Sequence, residues 1–453
     1  MGRRLARDVS GESVGSVGMV EQDTIFAMAT PPGRSGVAVV RVSGPAAGQV
    51  VIDLTGDPLP PPRLARLRPV RNPIDGETID QGLVLWFPGP ASFTGDDVAE
   101  FQIHGGPAVI EAMITLLGQQ AGCRLAEAGE FTRRAFDNGR LNLTEVEGLA
   151  DLIDAQTAAQ RRQAHRQFSG EFGALIAQWR DRLVRALAHM EADLDFPEED
   201  LPDGLAPEVS ADVSALGTEI AGHLADEHRG ERLRDGFHVA IIGAPNAGKS
   251  SLLNRLARKP AAIVSDIAGT TRDLIHVPLD IDGVPVTVTD TAGLRENGDV
   301  IEEEGIRRAK EEADQADLVV LVIDGSAPIE LKEEWSAPLL RVVNKIDLQP
   351  EPPIEADAFV SAGTGAGVND LLTKISQAIG ADLAAEGAMI TRARHREALE
   401  DVVVALGRAA GAATAELAAE DLRLGVRSLG RLTGRVDVED LLDVIFRDFC
   451  IGK

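Results

Sequence analysis

The residues with the most specific chemistry form the run GAPNAGKS, from Gly243 to Ser250. The run follows the apolar stretch FHVAII (237–242) and precedes the helix-like stretch SLLNRLA (251–257). It matches the pattern G-x-x-x-x-G-K-S in the strand–loop–helix context that this pattern requires. The glycines let backbone N–H groups converge on phosphates at the start of a helix. We therefore expect Lys249 to contact the β- and γ-phosphates of a nucleotide and Ser250 to bind Mg²⁺.

A second motif, DTAG (290–293), directly follows the strand-like run VPVTVT (284–289). Asp290 is suited to hold the water shell of the Mg²⁺ ion, and Gly293 is suited to sense the γ-phosphate. The stretch SDIAGTTRD (265–273) supplies Thr271 as the second hydroxyl ligand of Mg²⁺. Both stretches therefore extend the phosphate and magnesium site.

Two further motifs select the base. NKID (344–347) follows an apolar run, and the Asp347 carboxylate can accept both N–H groups of a guanine edge, which adenine does not offer. SAGTG (361–365) would support that base, so order and spacing together predict GTP rather than ATP. The expected GTP-binding residues are Asn246, Ala247, Gly248, Lys249, Ser250, Ser251, Thr270, Thr271, Asp290, Thr291, Ala292, Gly293, Asn344, Lys345, Asp347, Ser361, Ala362 and Gly363.

The group that orients the attacking water is not the usual one. In small GTPases a glutamine just after the glycine of DTAG does this. This chain has Leu294 at that position, and a leucine side chain cannot orient water. Another group must position the water and balance the developing charge. Asn246, inside the phosphate loop, is a candidate ligand for a cation at this site.

Composition limits the class of protein. The 453 residues carry a formal net charge of −27, which argues against a broad nucleic-acid-binding face and leaves open a local basic patch or a basic partner. Cys123 and Cys450 are the only cysteines, which favours a reducing cytoplasm. No apolar run approaches a membrane span, and DLVVLVIDG (317–325) is typical of a buried strand. The low-complexity start predicts a disordered leader over residues 1–21, with Met19 as an alternative start.

Three kinds of sequence pattern divide the chain into domains. Short β-type runs with Gly and Pro turns predict a small α+β domain over residues 22–140. Residues 236–380 alternate strands and helices, as in a doubly wound sheet. Helical segments over 141–235 and 381–453 flank this block, which predicts one helical domain interrupted by an insertion. The expected fold class is α/β multidomain, with an N-terminal α+β domain and a helical domain that carries an inserted Ras-like P-loop GTPase domain.

Two local signals support the helical assignment. Thr144-x-x-Glu147 is a capping-box signature at the start of a helix. Further along, apolar residues recur at spacings of three to four and form one stripe of a long helix. They are Leu175, Trp179, Leu183, Leu187 and Met190.

The motifs GAPNAGKSS, DIAGTTRD, DTAGLRE and NKID, with the terminal residues FCIGK, closely resemble the MnmE (TrmE) family of tRNA modification GTPases. That family belongs to the TrmE-Era-EngA-YihA-Septin-like class of P-loop GTPases. The stretch TIFAMATPPGRSGVAVVRVSG (24–44) is similar to the family too. The resemblance covers about residues 22–453, and FCIGK is its most specific part because many GTPases share the other motifs. It implies that the N-terminal domain binds a folate and forms a homodimer.

The resemblance also implies potassium-dependent hydrolysis, with K⁺ where other GTPases use an arginine. The matching K⁺ positions are Asn246, Ser265, Ile267 and Thr270, and the family often has threonine where Ser265 stands. The family pattern Glu-x-x-Gly-Ile selects Glu302 as the acid that positions the water. By residue type alone, the acidic run around Glu302 is typical of a solvated helix start. K⁺-bridged pairing of two GTPase domains is the active form that the resemblance implies.

A folate needs a carboxylate for the N–H edge of its pterin and cationic groups nearby. The resemblance implies that Arg41, Glu100, Arg140 and Lys453 bind a tetrahydrofolate derivative, either 5-formyl or 5,10-methylene. Arg140 stands in NGRLNL, where the family frequently has lysine, and the two cations differ in contact geometry. By residue type alone, Arg41 and Glu100 are typical of the solvent-facing side of a strand.

The terminal residues FCIGK have two interpretations. The resemblance implies that a last helix over 438–447, capped by Asp437, brings the tail to the N-terminal domain. Lys453 would then contact the folate, and the Cys450 thiol would act as a nucleophile or position a one-carbon intermediate. The alternative is that Cys450 is a small buried hydrophobe at a helix end.

The resemblance implies an enzyme that adds a carboxymethylaminomethyl-type group to the wobble uridine of certain tRNAs. Its partner would be the flavoprotein MnmG (GidA) in a heterotetramer-type complex, with FAD on the partner only. A ribosome-assembly or translation GTPase without modification chemistry is a second class, and a dimerising GTPase that acts on membranes is a third. The second often carries a basic RNA-binding appendage and the third a membrane span or a basic amphipathic face, and the sequence shows none of these.

Overall fold

The structure is a computed structural model of the chain. The residues that it describes are 23–195, 207–226, 228–262, 275–290, 313–327, 335, 337–350, 352, 354–379, 389–436, 442, 445–447, 449 and 451–452. They form two compact units. The first contains residues 23–141 and the described residues from 442 onward, and the second contains residues 142–436. The expected leader, and with it the choice between two start residues, lies outside the described residues.

The first unit is built on one mixed sheet. Its strands are β1 (Thr24–Met28), β2 (Ser35–Ser43), β3 (Arg66–Arg71), β4 (Thr78–Phe87), β5 (Val98–Gly105) and β6 (Cys123–Leu125). Its helices are α1 (Ala47–Thr55), α2 (Pro107–Gly118) and α3 (Glu130–Asp137). The strand order is β3-β4-β5-β2-β1-β6, and all neighbours run antiparallel except β1 and β6. This unit has the α+β character that the sequence predicts.

Alternation in β2 decides which side chains reach each face of this sheet. Ala38, Val40 and Val42 are fully buried and belong to the core that α1 and α2 complete. Successive side chains of a strand point to opposite faces, so Arg41 lies on the other face. Phe131 of α3 is fully buried in a second, smaller core of this unit.

The carboxyl-terminal tail packs within this same unit. Ile451 forms an isolated antiparallel bridge with Ala128. Gly452 has a φ of 102°, and a Cβ built on it would lie 1.9 Å from the backbone oxygen of Met28, so only glycine fits this close approach. The tail therefore contacts the N-terminal domain at Ile451 and Gly452, as expected from the sequence.

The second unit contains a helical part and a sheet part. Its helices are α4 (Leu143–Asp154), α5 (Ala158–Phe168), α6 (Glu171–Asp195), α7 (Pro207–Leu224), α8 (Arg229–Asp235), α9 (Lys249–Leu256), α10 (Val368–Ala378), α11 (Ala393–Ala410) and α12 (Ala415–Thr433). Its strands are β7 (Phe237–Ile242), β8 (Ile275–Ile281), β9 (Val284–Asp290), β10 (Leu318–Asp324), β11 (Leu339–Asn344) and β12 (Ala358–Phe359). Helices α9 and α10 belong to the sheet part.

The sheet part has the doubly wound arrangement expected from the sequence. The order is β12-β11-β10-β7-β9-β8, and only the β8–β9 pair is antiparallel. Parallel strands are buried on both faces, so they read as continuous apolar runs. Strand β10, LVVLVID, is buried over its first five residues, as predicted for DLVVLVIDG. The carboxyl ends of β7, β10 and β11 therefore meet at one edge, where their loops can form a site.

The helical part has its own aliphatic core. The predicted stripe of α6 is confirmed: Trp179, Leu183 and Met190 are almost fully buried, and Leu175 and Leu187 pack against them. Helices α11 and α12 supply the facing side chains of this core. None of the helices in the described part of the chain is both long enough and apolar enough to cross a membrane.

The predicted capping box at the start of α4 is wrong by two residues. The N-cap is Asn142, whose side chain accepts from the backbone N–H of Glu145, while the Glu145 carboxylate accepts from the backbone N–H of Asn142. The sequence offers two overlapping signals, N-x-x-E and T-x-x-E. The burial of Glu147 decides between the two signals. Its side chain is only 1% exposed, and its carboxylate binds the side chains described next, so it does not cap the helix.

Glu147 is the centre of a buried ion cluster. Its carboxylate accepts from Nε of Arg394 at 2.6 Å, from Nη2 of Arg394 at 2.5 Å and from Nε2 of His395 at 2.8 Å. Burial would raise the pKa of Glu147, but His395 and Arg394 outweigh it and hold the pKa far below its usual range. Burial lowers the pKa of His395, so a neutral imidazole donates to the carboxylate.

The ion cluster extends to the two places where the chain passes between the helical part and the sheet part. Asp151, one turn after Glu147 on α4, accepts from Arg392 at 2.7 Å and from Arg234 at 3.0 Å. Arg234 lies just before β7, and Arg392 is the residue before α11. The insertion is thus tied to α4 at its entry and at its exit.

Stability of the second unit is expected to fall as the pH is lowered. The folded-state pKa values of His395 and Glu147 both lie below those of the unfolded chain, so the unfolded chain binds more protons in acid. The loss begins as the pH falls below about 6.5, the ordinary value for histidine, and deepens below about 4.3, the value for glutamate. Urea denaturation at several pH values across this range measures the free energy of unfolding. A free energy that does not change with pH would contradict the prediction.

Candidate functional site

The phosphate loop lies between β7 and α9, as the sequence predicts. Asn246 and Gly248 have positive φ angles of 63° and 95°. A Cβ at Gly248 would lie 2.2 Å from Nδ2 of Asn344, and one at Gly243 would lie 2.3 Å from the backbone oxygen of Val322. The two glycines are therefore required by the chain's own packing. The loop ends at a helix N-terminus, where backbone N–H groups favour an anion.

Lys249, the first residue of α9, is held at this loop. Its ammonium donates to the backbone oxygens of Gly243 at 2.8 Å and Ala244 at 3.0 Å. Burial lowers the pKa of Lys249, and the nearby Asp290 partly offsets this effect. The charge is thus placed beside the N–H groups of the loop, where phosphate oxygens would replace the carbonyls as acceptors.

Ser250 and Asp290, the two described residues that the sequence assigns to Mg²⁺, are in hydrogen-bond contact. Ser250 Oγ, from α9, donates to Oδ2 of Asp290, at the end of β9, at 2.6 Å. Asp290 is fully buried. A hydroxyl and a carboxylate at this distance are the hard oxygen donors that suit Mg²⁺, with phosphate oxygens and water as further ligands. Ser251, in the first turn of α9, is exposed.

Asn344 connects the phosphate loop to the base loop. Its Nδ2 donates to the backbone oxygen of Ala247 at 2.8 Å, and its Oδ1 accepts from the backbone N–H of Ala362 at 2.9 Å. The side chain is 2% exposed, so both bonds are shielded from water. The asparagine of NKID therefore acts as a brace between two loops.

The base-recognition carboxylate is oriented but accessible. Ser361 Oγ donates to Oδ1 of Asp347 at 2.6 Å and accepts from the backbone N–H of Thr364. Ser361 is fully buried, whereas Asp347 is exposed. One carboxylate oxygen is thus fixed by the SAGTG loop, and the side chain is open to a guanine edge.

Two residues that stabilise the NKID and SAGTG loops were not predicted from the sequence. Asp324, the last residue of β10, binds Lys345 at 2.5 Å. Burial would raise the pKa of Asp324, but hydrogen bonds from Lys345 and Ser326 lower it to about 2. Arg255 of α9 donates to the backbone oxygens of Ala362, at 3.0 Å, and of its neighbour in the loop, Gly363. The acidic end of an otherwise apolar strand was the available signal for Asp324, and Arg255 had none.

The predicted site residues that lie outside the described part of the chain stay predictions. They are Ser265, Ile267, Thr270, Thr271, Thr291, Ala292, Gly293, Glu302, Cys450 and Lys453. Asp437, expected as the cap of the last helix, lies outside it as well.

In the first unit, Arg41 and Glu100 form a direct pair. They are opposite residues in the antiparallel register of β2 and β5. Nε and Nη2 of Arg41 both lie 3.0 Å from Oε1 of Glu100, and the side chains are 20% and 18% exposed. The Arg41 guanidinium also lies 5.5 Å from the ring centroid of Phe93 and 5.7 Å from that of Phe131. A mostly buried ion pair whose guanidinium lies near two aromatic rings is unlike a solvent-facing strand surface.

Arg140 is placed differently. It lies in the exposed turn after α3, and no hydrogen bond or ion pair joins its side chain to the described Arg41 or Glu100. The tail approaches the other end of α3. Ile451 bridges to Ala128, three residues before Phe131. Ile451, next to Cys450 in the sequence, therefore contacts the segment that leads into α3, the helix that carries Phe131.

Two family models match the chain. The model for the GTP-binding protein TrmE N-terminus matches residues 24–140. The model for the MnmE helical domain matches residues 143–450. The chain belongs to the MnmE family.

Relatives in the MnmE family match almost the whole chain. A tRNA modification GTPase MnmE from Parvibaculum lavamentivorans is 56% identical over 438 residues, which cover 95% of this chain and 100% of the relative. One from Rhodospirillum rubrum is 52% identical over 453 residues, covering 95% and 99%. The human 5-taurinomethyluridine-[tRNA] synthase subunit GTPB3, mitochondrial, is 47% identical over 458 residues, covering 95% and 93%.

Membership of the MnmE family confirms the resemblance and the fold class predicted from the sequence. The chain is a GTPase of this family. The site geometry agrees with that membership at the P-loop, at the Ser250–Asp290 pair and at the base loop. The four-part domain division remains a prediction from the sequence.

Proposed function

We propose that this chain is a GTP-hydrolysing tRNA modification enzyme. With the flavoprotein MnmG (GidA), it adds a carboxymethylaminomethyl-type group to the wobble uridine of certain tRNAs and takes a one-carbon unit from a folate. One observation carries the proposal. The Arg41–Glu100 pair and the tail residues around Cys450 share a unit that contains none of the described nucleotide-binding residues. A switch GTPase without chemistry of its own has no need of this second site.

GTP hydrolysis takes place at the phosphate loop. Lys249 and the loop N–H groups bind the phosphates, and Ser250, Thr271 and Asp290 hold the magnesium ion. The Mg²⁺ ion supplies positive charge to the β- and γ-phosphates. Glu302 positions the attacking water, which the leucine after DTAG cannot do.

Potassium supplies the remaining positive charge when it is bound. Among the proposed K⁺ ligands, Asn246 is the one that lies in the described part of the chain, and it has a positive φ at the turn of the phosphate loop. Ser265, Ile267 and Thr270 are the other ligands. A K⁺ ion held by these residues would supply positive charge to the phosphates, and the homodimer formed by the N-terminal domains would bring two GTPase domains together for turnover.

The Asn246→Ala variant is expected to lose potassium stimulation. Its GTP turnover in K⁺ should fall about 10²-fold, as when one transition-state contact is removed, and its turnover in Na⁺ should stay the same. Turnover in matched KCl and NaCl measures the ratio of the two rates. Asn254→Ala, an exposed asparagine on α9, is the matched control. An Asn246→Ala variant that keeps the wild-type ratio would show that K⁺ does not act here.

The folate site recognises the pterin by charge and shape. The Glu100 carboxylate accepts from the N–H edge of the pterin, Arg41 orients that carboxylate, and the rings of Phe93 and Phe131 lie near the Arg41 guanidinium. Arg140 and Lys453 bind the acidic part of the ligand. The Cys450 thiol acts as a nucleophile or positions the one-carbon intermediate.

Removing the Glu100 charge is expected to abolish tight folate binding. Glu100→Gln loses a charge-assisted hydrogen bond, typically about 1.5–3 kcal/mol, and leaves Arg41 half-buried without its partner, so affinity should fall roughly 10²-fold. Calorimetric titration with 5-formyltetrahydrofolate measures it. Glu77→Gln, an exposed carboxylate just before β4, should bind like the wild type. Equal affinity of the two variants would remove Glu100 from the site.

The proposed partners are a flavoprotein and a tRNA. The flavoprotein MnmG carries the FAD and joins the homodimer in a heterotetramer-type complex, and the tRNA is bound by the assembly. The protein works in the cytoplasm, where its two cysteines stay reduced.

Reconstitution tests the proposed function directly. The full chain is mixed with MnmG, GTP, Mg²⁺, K⁺, a reduced folate, an unmodified tRNA and free glycine, which has the atoms of the carboxymethylamino part of the added group, and each component is then omitted in turn. Loss of the modified uridine on omission of GTP or folate supports the proposal. Normal GTP turnover with no product from the complete mixture, and association of the chain with ribosomal particles at low salt, would favour a ribosome-assembly switch.

A further inference from the structure

Arg255 lies on α9, the helix whose first residues form the phosphate end of the nucleotide site. Lys249 and Ser250 begin this helix, and Arg255 stands about 9 Å further along its axis, at a rise of about 1.5 Å per residue. The Arg255 side chain is partly buried and contacts the base loop. One helix therefore connects the phosphate end of the site with the base end.

The Arg255 guanidinium donates to two consecutive backbone oxygens of the SAGTG loop. Nε donates to the oxygen of Ala362 at 3.0 Å, and Nη2 donates to that of Gly363. A Cβ built on Gly365 would lie 3.7 Å from Nη1, so the guanidinium also packs against this part of the loop. The planar fork of an arginine can hold two acceptors at once in a fixed geometry. The two contacts therefore fix both the position and the orientation of the loop backbone.

Ala362 is held at its N–H and at its oxygen. Its N–H donates to Oδ1 of Asn344 at 2.9 Å, and its oxygen accepts from Arg255. Ala362 directly follows Ser361, whose hydroxyl donates to the Asp347 carboxylate at 2.6 Å. The orientation of that carboxylate therefore depends on a stretch of backbone that Arg255 holds from one side and Asn344 from the other.

We infer that Arg255 is a positioning residue for the guanine base. It acts through the SAGTG loop, because the two carbonyls that it binds keep the Asp347 carboxylate in the orientation that accepts from guanine. A loop that is already ordered loses less freedom when the nucleotide binds, so the nucleotide is bound more tightly. Lys249 and Ser250 lie at the other end of the helix, so binding of the phosphates does not depend on Arg255. The inference needs only the GTPase site and not the proposed tRNA chemistry.

Nucleotide release from Arg255→Met tests the inference. Methionine keeps an apolar stem and removes every donor. If the loop then holds its binding geometry about one-tenth of the time, GDP affinity falls about 10-fold. Most of this change is expected in the release rate. Stopped-flow release of a fluorescent GDP from the full chain, with Mg²⁺ and K⁺ present, measures that rate. In GTP turnover, KM should rise by a similar factor while kcat does not fall.

Arg258→Met is the matched control. Arg258 is an exposed arginine just after α9, and its substitution removes the same charge from the same end of the helix. This variant should release GDP at the wild-type rate. Arg255→Lys keeps the charge but not the planar fork, so its release rate should lie between those of the wild type and Arg255→Met.

Inorganic pyrophosphate separates positioning of the base from a general loosening of α9. Pyrophosphate with Mg²⁺ competes with fluorescent GDP for the phosphate loop but has no base. Its affinity should be the same for Arg255→Met and the wild type, because Lys249 and Ser250 keep their places. Equal losses of affinity for GDP and for pyrophosphate would show that Arg255 supports the helix and not the base loop, which would overturn the inference.

Two further results would also overturn the inference. They are a GDP release rate of Arg255→Met that equals the wild-type rate, and a kcat that falls together with the affinity. Faster GDP release with unchanged pyrophosphate affinity supports it. None of these measurements uses tRNA, so they decide the inference whether or not the chain modifies a uridine.

Discussion

Asp347→Asn is expected to convert the chain from a GTPase into a xanthosine triphosphate hydrolase. The Asp347 carboxylate accepts two N–H groups from guanine, and each charge-assisted hydrogen bond contributes about 1.5–3 kcal/mol. An asparagine amide can accept only one of them and turns a donor toward the other. GTP affinity should therefore fall about 10²- to 10⁴-fold. Xanthine has an oxygen where guanine has its amino group, so it accepts from the new donor and should regain most of the loss.

The geometry explains why this exchange leaves the loop intact. Ser361 Oγ donates to Oδ1 of Asp347, and an asparagine amide oxygen accepts that bond equally well. Turnover with GTP and with xanthosine triphosphate measures the effect. Asp370→Asn, an exposed carboxylate in the first turn of α10, should keep the GTP preference. A variant at position 347 that loses both nucleotides, or keeps GTP, would contradict the assigned base site.

Glu147→Gln is expected to destabilise the second unit strongly. The carboxylate binds both Arg394 and His395 and is 1% exposed. Removing one partner of a buried ion pair leaves the other charge without compensation, which typically costs about 3–5 kcal/mol. The amide keeps the shape of the side chain, so the loss reports on charge and not on a cavity.

Urea denaturation measures the loss in the free energy of unfolding, and GTP turnover is measured on the same variants. Glu171→Gln is the matched control, because Glu171 pairs with Arg166 at the surface, where a salt bridge contributes about 0–1 kcal/mol. Because the cluster ties the entry and the exit of the insertion to α4, Glu147→Gln should also weaken the link between GTP turnover and tRNA modification. A loss of unfolding free energy smaller than that of Glu171→Gln would show that the ion cluster does not stabilise the connections between α4 and the inserted domain.

Much of the nucleotide site could be predicted because its chemistry is local. The run from Gly243 to Ser250 needs a strand before it and a helix after it, and both signals lie within a few residues. Asp290 and Asp347 each end or follow an apolar strand, and parallel strands bring their carboxyl ends to one edge. The long stripe of α6 was equally clear, because a 25-residue helix repeats its period many times.

The parts that could not be predicted depend on contacts between distant residues. Arg41 and Glu100 are 59 residues apart, and only the register of β2 against β5 makes them a pair. The bond between Asp324 and Lys345 likewise joins neighbouring strands. At the start of α4, two capping signals overlap by two residues, and only burial of Glu147 shows which one the helix uses. Residue type and spacing can mark such residues as candidates, as the acidic end of β10 does, but they do not show which distant partner each one contacts.

Nucleoside mass spectrometry of tRNA tests the central claim most directly. Cells that lack their own gene for this activity would express the flavoprotein partner from the same source together with the intact chain, Cys450→Ser or Lys249→Ala. We expect the intact chain to restore the modified wobble uridine. Cys450→Ser should restore none while its GTP turnover survives, and Lys249→Ala should lose both. Full restoration by Cys450→Ser would make Cys450 a packing residue, and an intact chain that hydrolyses GTP but leaves the uridine unmodified would contradict the claim that it is a tRNA modification enzyme.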